Sequence, residues 1–140
     1  MRQFVLRVLM VIGLTSGLAF ATVPGAAQAE TAGQFGSTAT LIASGVGINV
    51  PVTYICPPDG SVASLEVSVT QAVRGVLVRG GGSTSPLTCD DTQHTVVTSV
   101  FASGSLAFAK GDAFAQGNLA PCVGCFGGVT FSATITVRKK

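Results

Sequence analysis

From Ile48 to Cys56 apolar and polar positions alternate, with Ile48, Val50, Val52, Tyr54 and Cys56 on one face and Asn49, Pro51, Thr53 and Ile55 on the other. A period of two predicts a strand with one buried face. Pro51 has no N–H to give to a ladder, so an edge or a bulge is expected there. The pattern returns at Ser64 to Thr70, where Leu65, Val67 and Val69 oppose Ser64, Glu66, Ser68 and Thr70. It is clearest from Val129 to Val137, where Val129, Phe131, Ala133, Ile135 and Val137 alternate with threonines and a serine, and Thr is itself a good strand former.

Weaker strands are expected at Ser37 to Ala43, Gly75 to Arg79, His94 to Phe101 and Asp112 to Leu119. Turn signals separate them: Pro57-Pro58-Asp59-Gly60, the Gly80-Gly81-Gly82-Ser83 run, Lys110-Gly111-Asp112, and Gly127-Gly128. The glycine run reads as a mobile loop. After residue 29 no segment holds apolar residues at helical spacing over three turns. About seven short strands in roughly 110 residues predict an all-β, two-sheet antiparallel sandwich of the immunoglobulin-like kind, with a small barrel as the alternative. No internal repeat or linker divides residues 30–140, so a single domain is expected.

The N-terminus has a different pattern. Arg2 and Arg7 flank an apolar run from Val8 to Leu14 that continues through small residues to Ala21. Pro24 and Gly25 break any helix, and Ala27-Gln28-Ala29 is the small-x-small triplet read by signal peptidase. Residues 1–29 therefore read as a signal peptide, with cleavage between Ala29 and Glu30. A second triplet, Ala19-Phe20-Ala21, would place the start at Thr22 but leaves almost no polar spacer. The run is too short for a retained anchor. No Cys follows the cleavage site and the chain ends Arg138-Lys139-Lys140, so the product is expected to be secreted and free of the membrane.

Charge then changes the picture. The full chain carries a formal +2, with eight basic and six acidic residues. Arg2 and Arg7 leave with the signal segment, so the mature charge is zero. With no basic stripe, nucleic acid is not an expected partner.

Cys56, Cys89, Cys122 and Cys125 all lie beyond residue 29. An even count in an exported chain reads as two disulfides. Proximity favours Cys122 with Cys125, which leaves Cys56 with Cys89; the three possible pairings are not otherwise separated by sequence. On the chain-entropy view the longer loop contributes roughly 4 kcal/mol and the shorter about 2. Cys89, His94, Cys122 and Cys125 also have the donor types of a tetrahedral zinc set, but one long loop divides them. A redox Cys-x-x-Cys needs a helix N-terminus, whereas Phe126-Gly127-Gly128 leads into a strand. Neither metal nor cofactor is expected.

Catalytic patterns are thin. His94 is the one histidine and follows Asp90 and Asp91, but no Gly-x-Ser-x-Gly elbow accompanies it. Adjacent Asp90 and Asp91 diverge and Glu66 reads as solvent-facing, so no carboxylate pair spans a cleft. Gly80 to Gly82 precedes neither a helix nor Gly-Lys-Ser/Thr. No enzymatic activity is expected. Aromatic platforms are also scarce: the chain has no Trp and one Tyr, and Tyr54 is in phase with the core. Phe35, Phe101, Phe108, Phe114 and Phe131 read as core, with Phe126 the exception beside the cysteine turn. The turn from Ala120 to Phe126 is the candidate binding loop, with Pro121, Val123, Gly124 and Phe126 available for contact. A braced loop presents side chains with little entropy loss.

Tyr54-Ile55-Cys56, Val69-Thr70-Gln71, Cys89-Asp90-Asp91 with His94-Thr95, and Phe108-Ala109-Lys110-Gly111-Asp112-Ala113 together resemble a family of small secreted actinobacterial domains of unknown function, over about Thr38 to Val137. Val96 departs from the aromatic residue such members carry after His-Thr. The resemblance implies a secreted β-sandwich and no mechanism. In gross features the chain is also similar to enediyne-binding apoproteins of the neocarzinostatin type, which are small-molecule carriers, and to secreted subtilisin inhibitors, which occupy a protease with a braced loop. The expected function is a secreted, non-enzymatic module that binds an extracellular protein or small molecule; a serine-protease inhibitor using residues 120–126 and a small-molecule carrier are the alternatives.

Overall fold

The computed structural model describes residues 30–140; the expected signal segment 1–29, with Ala29 of the expected cleavage site, lies outside the described residues. Among the described residues eight strands form: β1 (Ala32–Phe35), β2 (Thr38–Ile42), β3 (Gly47–Ile55), β4 (Ser64–Val73), β5 (Val76–Thr84), β6 (Gln93–Ala102), β7 (Gly111–Ala120) and β8 (Val129–Arg138). The alternating faces lie where the periodicity puts them. Ile48, Val50, Val52, Tyr54 and Cys56 are buried, as are Leu65, Val67 and Val69. On β8 Ile135 and Val137 are fully buried, Phe131 and Ala133 pack against the core half-buried, and the Val129 end is exposed. Each fully buried Ile, Leu or Val contributes roughly 1.5–3 kcal/mol of apolar burial. Among the described residues no helix is long and apolar enough to cross a membrane.

The strands do not form the expected two-sheet, immunoglobulin-like sandwich. They close into a seven-stranded barrel, running β3, β2, β8, β7, β4, β5, β6 and back to β3. Closure depends on two short seams. β2 pairs β8 over Thr38 to Thr40 in parallel, which departs from the antiparallel expectation, and β5 meets β6 at Gly80 opposite Ala102 and Gly81 opposite Phe101. β1 lies outside the ring. β6 takes one edge of β3 along its whole length, so β1 and β2 share the other edge, β1 at Val52 to Ile55 and β2 at Gly47 to Asn49.

Gly80 to Gly82 is not the expected loop but the middle of β5. A Cβ at Gly80 would overlap the Phe101 carbonyl oxygen, and one at Gly82 would overlap that of Ser99. The missing side chains let β5 approach the β6 backbone closely enough to close the barrel. Phe131 packs against β1 and β7. Its ring covers Gly117, its cross-strand partner, and Gly33, and lies 4.9 Å from the Phe35 ring. Two of the phenylalanines expected in the core stand outside it, Phe101 at 54% and Phe114 at 50% exposure.

Buried polar groups hold the ends. Gln71, 2% exposed, donates from Nε2 to the Ala109 carbonyl at 2.8 Å and accepts the Ala109 N–H at 2.9 Å, fixing the approach to β7. The Thr84 and Thr98 hydroxyls share a 2.7 Å hydrogen bond across β5 and β6. Cys56 is joined to Cys89, tying the end of β3 to the segment before β6, and Cys122 to Cys125 within the β7–β8 connection. This is the pairing that proximity favoured.

Candidate binding surface

Pro121 ends β7, since the chain there can no longer supply a ladder N–H. A tight turn follows, with Gly124 at φ +75° and the Cys125 N–H donating to the Cys122 carbonyl at 3.2 Å. The Cys122–Cys125 disulfide spans that turn. Gly128, at φ +110°, then brings the chain against β7 where a Cβ would overlap the Leu119 carbonyl, so this position requires glycine. Pro121, Val123, Gly124 and Phe126 are all exposed, and the Phe126 ring is fully so. Glu66 anchors the turn to the barrel: its carboxylate accepts the Gly124 N–H at 2.5 Å. The solvent-facing role expected for Glu66 is therefore only half right, as its side chain is half-buried and engaged.

Beneath this hairpin lies an open groove of about 600 Å³ on the outer face of β5, β4, β7 and β8. Alternation builds it. Because Leu65, Val67 and Val69 point inward, Glu66 and Ser68 point out, and β5, β7 and β8 follow in register. Ser83, Glu66, Asn118 and Thr130 form one cross-strand row, and Gly81, Ser68, Gln116 and Ser132 the next. Strands in such a sheet are about 4.8 Å apart and successive rows on one face about 7 Å. Asn118 has an unusual position: its Oδ1 is buried near Gly128 with no hydrogen-bond donor. The sequence signal for this groove lies in three polar half-strands, on β4, β7 and β8, which carry no chemistry until register aligns them; the fourth, on β5, falls in the glycine run that the sequence pattern places in a loop.

His94 stands away from the groove, at the start of β6. Its Nε2 lies 2.8 Å from Asp90 Oδ1 and 3.2 Å from the Thr92 hydroxyl, and its ring is 5.8 Å from that of Tyr54. The Thr92 hydroxyl and N–H also donate to Asp90. Hydrogen bonds from the Thr92 side chain, and then from His94, lower the Asp90 carboxyl to about 2. A Ser-His-Asp relay needs the carboxylate on one ring nitrogen and the nucleophile on the other. Here Asp90 and Thr92 meet the same nitrogen, which makes a polar knot that closes a turn. The Cys89, His94, Cys122 and Cys125 zinc set is not assembled, since every one of those thiols is in a disulfide.

No protein-family model, curated protein or solved structure matches the chain.

Proposed function

We propose that the protein is an exported, non-enzymatic binding module that meets an extracellular partner through the hairpin of residues 120–126 and the groove beneath it. The observation that carries this reading is the fully exposed Phe126 ring beside a turn held twice, by Cys122–Cys125 and by Glu66 on Gly124. A large apolar side chain on a pre-ordered loop gains burial on contact and gives up little chain entropy. Export is supported by the signal pattern of residues 1–29 and by two disulfides, which persist in oxidising compartments. The non-enzymatic reading draws on the geometry at His94, where Asp90 and Thr92 meet the same ring nitrogen and not opposite ones.

The carrier alternative gains support from the groove, whose volume falls in the range of small-molecule sites. The inhibitor alternative gains less, because a protease accepts an extended segment and Cys122 to Cys125 is a closed turn.

Two measurements test the proposal. Intact mass of protein recovered from the medium should correspond to a chain beginning at Glu30 with no free thiol; a retained N-terminal segment refutes export. An NMR fragment screen should then concentrate shift changes on Glu66, Ser68, Gln116, Asn118 and the 122–126 amides. Changes confined to any other face refute the assignment of this surface.

A further inference from the structure

The groove's lining states what it can hold. Its charged member is Glu66, whose carboxylate is already engaged by Gly124. The nearest cation on the same face, Arg79, stands one row beyond, opposite Thr70. The lining itself holds no cation to meet a phosphate or a carboxylate and Glu66 would repel one, although Arg79 flanks the groove in the same row as Phe114. Apart from Glu66 and Val67, the lining is hydroxyl, carboxamide and glycine, so an apolar ligand would bury polar groups without partners.

What remains is a neutral ligand rich in groups that both donate and accept. Ser68, Ser83 and Thr130 can each do either, and the exposed Gln116 carboxamide presents both functions on one planar group. Gly81, in register with Ser68 on the outer face, keeps the floor low there, which lets a ligand approach the sheet backbone. Phe114 adds a flat apolar surface. It is half exposed in the next row, two residues along β7 from Gln116 and between Thr70 and Thr134. A sugar ring offers the matching pair of properties, with equatorial hydroxyls around its edge and C–H bonds on its face to lie against an aromatic ring. Asn118 lines the groove as well, with its Oδ1 buried beside Gly128.

We infer that this groove binds a neutral oligosaccharide, laid across β4 and β7 with one ring on Phe114 and its hydroxyls on Ser68, Gln116 and Asn118. The inference rests on the groove being the contact surface proposed above and names its ligand class.

The test is a ¹H–¹⁵N NMR titration of the exported protein with maltohexaose, cellohexaose and chitopentaose, and separately with inorganic phosphate and a neutral Gly-Ser-Thr hexapeptide. Saturable shifts at Ser68, Gln116 and Asn118 with at least one of the oligosaccharides are expected. Phe114→Ser and Gln116→Ala, both at exposed positions and so expected to fold, should each weaken that binding about tenfold. Groove shifts with fragments but with none of the three oligosaccharides would overturn the ligand class while leaving the contact surface standing. Equal or stronger binding of phosphate or of the hexapeptide would overturn it as well, as would oligosaccharide affinity unchanged in both variants.

Discussion

Replacing Cys56 and Cys89 together by Ala should cost about twice as much stability as replacing Cys122 and Cys125. The first bridge spans a sequence separation of 33 and the second a separation of 3. In the chain-entropy treatment the longer loop restricts the unfolded chain by roughly 12–13 cal/mol/K and the shorter by about 6, or about 4 and 2 kcal/mol at 25 °C. Burial adds to the contrast. Cys56 is fully buried among core residues, whereas Cys122 stands in solvent on the hairpin. For a domain of this length, about 4 kcal/mol is a large share of a net stability of roughly 5–15 kcal/mol. At 4 °C or more per kcal/mol it lowers Tm by about 15 °C. Urea unfolding followed by far-UV circular dichroism measures both pairs, and the Cys56 and Cys89 variant should also show a larger m value, since its unfolded chain is less compact. Equal losses, or a larger loss from the Cys122 and Cys125 pair, would refute the reasoning. If the chain is exported as proposed, single Cys56→Ser and Cys122→Ser variants should follow the same order in yield from the medium.

Gly82→Val should destabilise the barrel by about 3 kcal/mol because its side chain would meet the Ser99 carbonyl, whereas Gly81→Ala, whose Cβ finds nothing nearer than the Val67 carbonyl oxygen at 3.8 Å, should shift urea midpoints only slightly. Glu66→Ala should leave stability within about 1 kcal/mol but lower the ¹⁵N order parameters of residues 122–126; unchanged values would mean that the disulfide alone holds the hairpin. Asp90 should titrate by NMR near pH 2, below its ordinary value of 3.8. Since the folded state lowers this pKa, the stabilisation from the Thr92 and His94 contacts is present above the ordinary value and is lost as pH falls toward 2. Thr92→Val should move the midpoint back up. Gln71→Leu should cost about 2 kcal/mol by leaving the Ala109 N–H and carbonyl without partners, read as a lower urea midpoint.

What the chain determines by itself is local. Alternation at β3, β4 and β8 sets which side chains face inward, because side-chain direction in a strand has a period of two whatever the strand pairs with. Proximity likewise brings Cys125 back to Cys122, since a three-residue separation leaves the pair little choice. The glycines of β5 were misleading for a physical reason: a run of glycines gives the same local signal in a flexible loop as in a strand that must approach another backbone, and only the neighbouring β6 carbonyls distinguish the two. Phe101 and Phe114 were misplaced in the core for a similar reason, as apolar character does not record which side of a finished sheet a residue faces. Closure of the barrel through β2 with β8 and β5 with β6, and with it the lateral alignment of Glu66, Ser68, Gln116 and Asn118 into one groove, was decided by tertiary structure alone. Edges that meet across such distances along the chain are chosen by the balance of all the pairings together, and no single strand carries that information.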